Sequence, residues 1–365
     1  MQKKSDIFNP ENAYTVGVEL EVRLLDKKTL MPRNEAAYFF THLPDTLGKH
    51  IHKELLQSMV EIVTPVCESA DEAADFITRA LHTLAGIGAK REIVLAALAT
   101  HPFEHKEDNE IIHDARYEAF AQELQIVLRN FLISGLHIHI GMPDSEAAIR
   151  SYNAAIRYMP IFLALSANSP YIQGEDSGLQ SYRTNIFQRL PRAGIPQRFE
   201  SYEAYCALID QLMKTGTIES IKDVWWDVRI HQIFGTIELR VCDAFYDYER
   251  LRLIVLFFQA LLLYASRHPV EEEFYQITKQ NKWNAVRHGL SGKFIDGMEV
   301  MTIREKALDL IDRMDYHGIF EKLGKVDDIP RLKALLQKES IARKLRKIYQ
   351  KTGDFRAVIN EEIVR

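Results

Sequence analysis

Near its start the chain alternates apolar and polar positions with a period of two. In YTVGVELEVRLLD, residues 14–26, Val16, Val18, Leu20, Val22 and Leu24 fall on one side, and Gly17, Glu19, Glu21 and Arg23 on the other. Successive side chains of a strand point to opposite faces, so the pattern predicts a β-strand with one apolar and one charged face. Three more extended segments follow: LLQSMVEIVTPV at 55–66, SGLHIHIGMPD at 134–144 between Gly135 and Gly141, and FGTIELRVCD at 234–243. Helical patterns intervene at 69–91, opening on Ser69 as a cap with acidic residues in its first turn, and at 114–131. Strands interrupted by helices without a strict βαβ rhythm predict an α+β fold.

From about residue 247 the pattern turns helical, with stretches at 248–268, 302–318 and 329–350 whose Lys and Arg read as solvated faces. No repeat, low-complexity tract or linker divides the chain, so one domain over 1–365 with a mostly helical C-terminal part is expected.

Composition narrows the function classes. With 47% hydrophobic residues in 365, the chain has material for a substantial core. A net charge of -5 from 46 basic and 51 acidic residues provides no overall basic field, so nucleic acid is not an expected partner. The opening MQKKSDIFNPENAY has no apolar run that fits a signal peptide. A membrane span needs about 20 uncharged apolar residues; the best candidate, LRLIVLFFQALLLYASRH, contains Arg252, Arg267 and Gln259 and reads as a buried helix. Cys67, Cys206 and Cys242 are widely spaced with no C-x-x-C pair, which argues against a disulfide framework or structural zinc and fits a reducing cytoplasm.

The charged strand face carries the chemistry. Glu19 and Glu21 project together, and like charges held close repel unless a cation sits between them; oxygen ligands favour magnesium or manganese. The plainer alternative is a solvated face with Arg23 as counter-charge. The same geometry recurs, with His137 and His139 sharing one strand face and Glu238 and Arg240 another. The second segment adds Glu61, with Glu54 seven positions earlier; one strand would place these on opposite faces, so Glu54 is expected in the bend before the strand. If the strands share a sheet, its polar face holds the groups expected around a metal–phosphate complex. The segment 168–199, with Gly174, Gly178, Gly194 and four arginines, Arg183, Arg189, Arg192 and Arg198, reads as an active-site loop or lid with phosphate or carboxylate clamps. Neither a G-x-x-x-x-G-K-[ST] phosphate loop nor a G-x-S-x-G nucleophile motif occurs.

Taken in order, GVELEVRLLDKKTLMPR, ELLQSMVEIVTPV, SGLHIHIGMPD, NSPY with SYRTNIFQRLPRAGIP, and TIELRVCD resemble the carboxylate–amine ligases of the type-two glutamate–cysteine ligase family over the first two-thirds of the chain. The resemblance implies a glutamine-synthetase-like catalytic domain, a curved, mainly antiparallel sheet with helices packed outside. It implies ATP with Mg2+, or Mn2+, as cofactors, and small-molecule carboxylate and amine substrates, glutamate and cysteine by family expectation. Glu19, Glu21, Glu54, Glu61, His137 and Glu238 are then the metal ligands and His139 faces the nucleotide. Arg240 stabilises the transferring phosphoryl group, and Arg116 and Arg183 hold the amino-acid carboxylate and the phosphates. Glu61 or Glu238 accepts the ammonium proton. The commonest family pattern, G-V-E-E-E, has Leu20 in its middle place here, on the apolar side, which leaves the metal pair intact. No thiol-recognition feature is visible, and a homodimer in the cytoplasm is expected. The rival readings are a metal-dependent hydrolase of an amide or phosphate ester, and a non-catalytic nucleotide- or amino-acid-binding relative.

Overall fold

Alternation of this kind folds by pairing, and in a computed structural model describing residues 7–364 it does so around the first strand. The opening six residues of the amino-terminal segment read above lie outside the described residues. Seven strands, β1 (Val16–Asp26), β2 (Ile51–Lys53), β3 (Met59–Val63), β4 (Ile93–Ala96), β5 (Gly135–Gly141), β6 (Val228–His231) and β7 (Thr236–Asp243), form one open, wholly antiparallel sheet in the order β6-β7-β5-β1-β3-β2. β5 and β4 pair in succession along one edge of β1, while β3 holds the other. The ladder between β7 and β5 shifts register between Leu239 and Cys242, a bulge that bends the strand.

Most of the helices near the sheet cover its apolar face, and one lies over the polar face. α1 (Ala70–Ala89) packs on β1, with the Ser69 hydroxyl accepting from the Glu72 N–H at its start. α2 (Ala115–Leu124) lies over the polar side, α3 (Ser145–Ser166) under β6 and β7, and α4 (Tyr248–Ala265) against β5, α1 and α3. Val16, Val18, Leu20, Val22 and Leu24 are all buried beneath them. Within α4, Arg250 donates to the Leu165 carbonyl at 2.9 Å and Arg252 to Asp328 at 2.8 Å, so its charges are satisfied inside the protein. No helix among the described residues is long and apolar enough to cross a membrane.

Several expected elements differ in extent. The 114–131 pattern breaks at Gln125, whose φ of 47° ends α2 before a short turn Ile126–Arg129. The 329–350 pattern splits into Ile329–Gln337 and Ile341–Thr352, because the Ser340 hydroxyl caps a new start by accepting from the Arg343 N–H. α3 carries no readable stripe in the sequence because it is buried nearly all round, and β2, β4 and β6 are too short to show a period. The 168–199 segment is not a free loop. It forms a small strand pair and a one-turn helix, Arg183–Phe187, and the buried Asp243 carboxylate ties its start to its middle by accepting from the Asn168 N–H and the Ser169 and Ser181 hydroxyls at 2.7–2.8 Å.

Candidate active site

Strand register aligns the charged residues. Glu19 of β1 stands opposite His137 of β5, Glu21 opposite Glu61 of β3, His139 opposite Glu238 of β7, and Glu238 opposite Arg229 of β6. Close contacts follow: the Glu19 carboxylate lies 2.9 Å from His137 Nδ1 and 3.2 Å from His139 Nε2. Glu21 accepts from the Gly135 N–H at 2.6 Å and lies 3.8 Å from His137 Nε2. Glu54 leaves the ladder in the bend before β3, its carboxylate accepting from the Leu55 N–H at 3.1 Å.

The field across this face is uneven. Burial pushes Glu54 up to about 8, reinforced by Glu21, and burial with Glu19 and Glu54 nearby holds Glu61 well above the usual range. Burial acts in the same sense on Glu19, but His139 and His137 outweigh it and hold Glu19 well below. Glu238, wholly buried, is also depressed, because Arg229 and Arg240 grip its two oxygens and overcome the burial cost. Burial and then Arg240 lower His137; for His139 burial is overcome by Glu238 and Glu19, and its proton affinity rises.

Glu19, Glu21, Glu54, Glu61, His137, Arg116, Arg183 and Arg240 line one cavity of about 330 Å³. A second, more apolar hollow of about 400 Å³ adjoins it, lined by Val16, Val63, Val66, Ile233 and Phe234 among others, and the two share Glu19, Val63 and Phe234. His139 lines this second hollow. Glu238 lines neither hollow; it lies beneath them in its arginine clamp. Of the four arginines read as clamps only Arg183 reaches the cavity. Arg189 is exposed, Arg192 lies 5.1 Å from the Trp225 ring centroid, and Arg198 donates to the Glu271 carbonyl on another face. Arg23 is no counter-charge for the Glu19 and Glu21 pair, since it is buried against Glu104 at 2.7 Å. Sequence reading missed Arg229 and His231, although the alternation in VRIH would have placed them together on a polar face. It also missed Tyr117, Phe120, Phe131, Phe187 and Trp225, which carry no motif and meet only in three dimensions.

The donor set fits a hard divalent cation. Two groups, Glu19 with His137 and Glu238, and Glu21 with Glu61 and His137, bring their ligand atoms within 4.8 Å of one another. His137 Nε2 is buried without a hydrogen-bond partner, while its Nδ1 is engaged by Glu19. An oxygen-rich cluster around one imidazole nitrogen suits magnesium or manganese. Because ligand carboxylates must be deprotonated, cation binding displaces protons from the Glu54 and Glu61 region. The apparent Mg2+ affinity is therefore expected to rise with pH through the neutral range, about tenfold per pH unit for each proton displaced. Calorimetry in buffers of different ionisation enthalpy reads the released protons; affinity independent of pH would contradict this account.

Gly135 holds the centre open. A Cβ there would meet a terminal Arg183 nitrogen at 2.2 Å and His137 Nε2 at 3.0 Å. Arg183 reaches past this position to donate to the Arg240 carbonyl at 3.2 Å. Gly135→Ala is thus expected to displace Arg183 while the ladder persists, lowering kcat/KM by about a hundredfold, the scale of a misplacement near 1 Å. Steady-state kinetics beside a thermal melt checks this, and unchanged kinetics would remove Arg183 from the site.

An open antiparallel sheet whose polar face gathers carboxylates, histidines and arginines into one cavity defines the class, a carbon–nitrogen ligase. Within that class the chain belongs to glutamate–cysteine ligase family 2, whose model matches residues 15–361. It is 33% identical over 359 residues to the "Putative glutamate–cysteine ligase 2" of Gloeobacter violaceus, covering 96% of each chain. A relative from Rubrobacter xylanophilus with the corresponding name is 34% identical over 355 residues, covering 95% of this chain and 93% of that one. Among solved structures the fold is similar to glutamate–cysteine ligase of Francisella tularensis in complex with AMP, with a TM-score of 0.72 at 13% identity over 97% of this chain and 88% of that one. A bifunctional glutathione synthetase of Pasteurella multocida gives a TM-score of 0.69 at 14% identity, over 96% of this chain and 52% of that one.

Proposed function

We propose that the protein is an ATP-dependent ligase acting as one catalytic unit, which activates the carboxylate of glutamate or a related acid as an acyl phosphate and joins it to an amine, with cysteine the family expectation. The observation that carries the reading is the convergence of Glu19, Glu21, Glu54, Glu61 and His137 with Arg183 and Arg240 on one cavity beside an apolar hollow. The apolar hollow suits a nucleotide base, with His139 between base and phosphates, and the Francisella relative's AMP complex agrees with such use. Glu19, Glu21, Glu54, Glu61, His137 and Glu238 would hold magnesium, which neutralises phosphate charge when bound. Glu238 also orients Arg229 and Arg240.

The chain's own groups then do three things. Arg240 and Arg183 present guanidinium donors to the phosphoryl group in transit from ATP to the acid's oxygen. The half-enclosed cavity limits water, which would hydrolyse an acyl phosphate. In the second step the amine nitrogen attacks the acyl carbon, the C–N bond forms, the C–O bond to phosphorus breaks, and inorganic phosphate leaves. Of the two carboxylates read as acceptor of the ammonium proton, Glu238 has both oxygens held by guanidiniums and lines neither hollow, whereas Glu61 lines the cavity, so Glu61 takes that role. Family membership and the guanidinium pair speak against the hydrolase reading.

The test is ADP release by the wild-type chain with Mg2+ and a panel of acids, using hydroxylamine to trap the acyl phosphate. Hydroxamate formed only with both ATP and an acid supports the ligase; amide cleavage without ATP would replace it with the hydrolase.

A further inference from the structure

The cavity has two unlike kinds of lining. One is the carboxylate and guanidinium face just described. The other is Tyr117 and Phe120 of α2 with Phe131, Phe187 and Trp225, joined by the Phe120–Trp225 contact at 5.2 Å and the Phe131–Phe187 contact at 5.8 Å between ring centroids. Four of the five, Tyr117, Phe120, Phe131 and Trp225, are only partly buried while lining the cavity, with Arg192 lying over the Trp225 ring at 5.1 Å. Phosphates and a divalent cation have no use for such a wall, and the base has the separate apolar hollow. At the rim of the wall stand two cations. Arg116 is exposed, lies 5.1 Å from the Phe120 centroid and pairs with Asp223 at 3.5 Å, and Lys222 has no carboxylate partner among the described residues.

We infer that the acceptor amine is an α-amino acid with a bulky apolar side chain, packed on the Tyr117–Phe120–Phe131–Trp225 wall with its carboxylate at Arg116 and Lys222. The inference rests on the ligase reading and names the substrate that reading leaves open. Burying apolar surface favours binding in proportion to the area covered. A side chain the size of that of alanine or cysteine covers little of the wall, whereas an isobutyl or benzyl group covers much of it. Specificity gained from a hydrophobic pocket runs at about 10- to 200-fold per methylene. Removing the acceptor's carboxylate leaves Lys222 without a carboxylate partner and Arg116 with Asp223 alone, so the corresponding plain amine loses affinity as well.

The experiment uses the full chain with ATP, Mg2+ and whichever acid gives most hydroxamate, and compares leucine, phenylalanine, alanine, cysteine, aspartate and isopentylamine as acceptors. kcat/KM for leucine or phenylalanine is expected to exceed that for alanine, cysteine and aspartate by at least about tenfold, and leucine to exceed isopentylamine similarly. Trp225→Ala should shrink the leucine-to-alanine ratio severalfold, and Phe120→Ala, on the covering helix, gives the same readout if the first variant does not fold. Hydroxamate formation with a flat acceptor series, or with aspartate preferred, overturns this inference and leaves the ligase standing. Absence of hydroxamate with every acid overturns both.

Discussion

Replacing Glu19 or Glu21 by Gln is expected to lower magnesium-dependent ADP formation by on the order of a thousandfold, with the fold retained. The amide has the shape of the carboxylate and can still accept from the Gly135 N–H at position 21 or face His137 at position 19, so packing survives. What disappears is one negative charge from the cluster that includes Glu54 and Glu61, and with it a cation ligand. Relief of repulsion adds a second sign: Glu54 is raised partly by Glu21, so Glu21→Gln should be no less stable than the parent near neutral pH. Glu19→Gln also loses the pairing with His137 and His139 that holds Glu19 well below the usual range, and should be the less stable of the two. ADP release, Mg2+ titration and a thermal melt on the same preparations separate these effects. Unchanged turnover in both variants would defeat the metal assignment.

Breaking the Arg23–Glu104 pair is the largest expected effect on stability. Both side chains are at most 1% exposed, and Arg23 and Glu104 meet at 2.7 Å. Arg23→Met leaves a buried carboxylate without its cation, which costs about 3–5 kcal/mol in comparable cases. Burial already raises Glu104 against the pull of Arg23, and the variant raises it further, so its native form takes up a proton more readily than the unfolded chain. A raised carboxyl contributes stability that is full below its unfolded value, near 4.3, and is lost as pH increases. The deficit should therefore be greatest at neutral pH and shrink toward pH 4. Adding Glu104→Gln removes the stranded charge and still accepts from Asn109, which donates to Glu104 at 2.9 Å. The double variant should thus recover most of the loss. Urea unfolding of the four proteins checks the cycle; a single Arg23 variant as stable as the parent would refute it. Two Arg23 nitrogens are buried without acceptors, which limits what the intact pair contributes and makes recovery reasonable.

The acidic face was legible because each of its parts is local. Glu19 with Glu21, His137 with His139, and Glu238 with Arg240 are each two residues apart on one strand, and Glu54 fell outside its strand as the spacing required. The arginines of 168–199 were not separable from sequence, because which of them faces inward depends on how Asp243 draws the start of the segment to its middle, just before Arg183. The helix at 145–166 escaped notice for a related reason: a helix buried on all sides carries no polar stripe.

By itself, then, the sequence determined which side chains share a face, since the direction of a side chain follows from its own backbone's period. Tertiary structure decided which faces meet. The sheet order is not the chain order, so His137 comes to Glu19 across 118 positions and Gly135 to Glu21 across 114. The same long-range pairing took Arg23 away to Glu104 and assembled an aromatic wall from four separate segments. Such contacts depend on how layers pack around a common core, and no short window of sequence contains both partners.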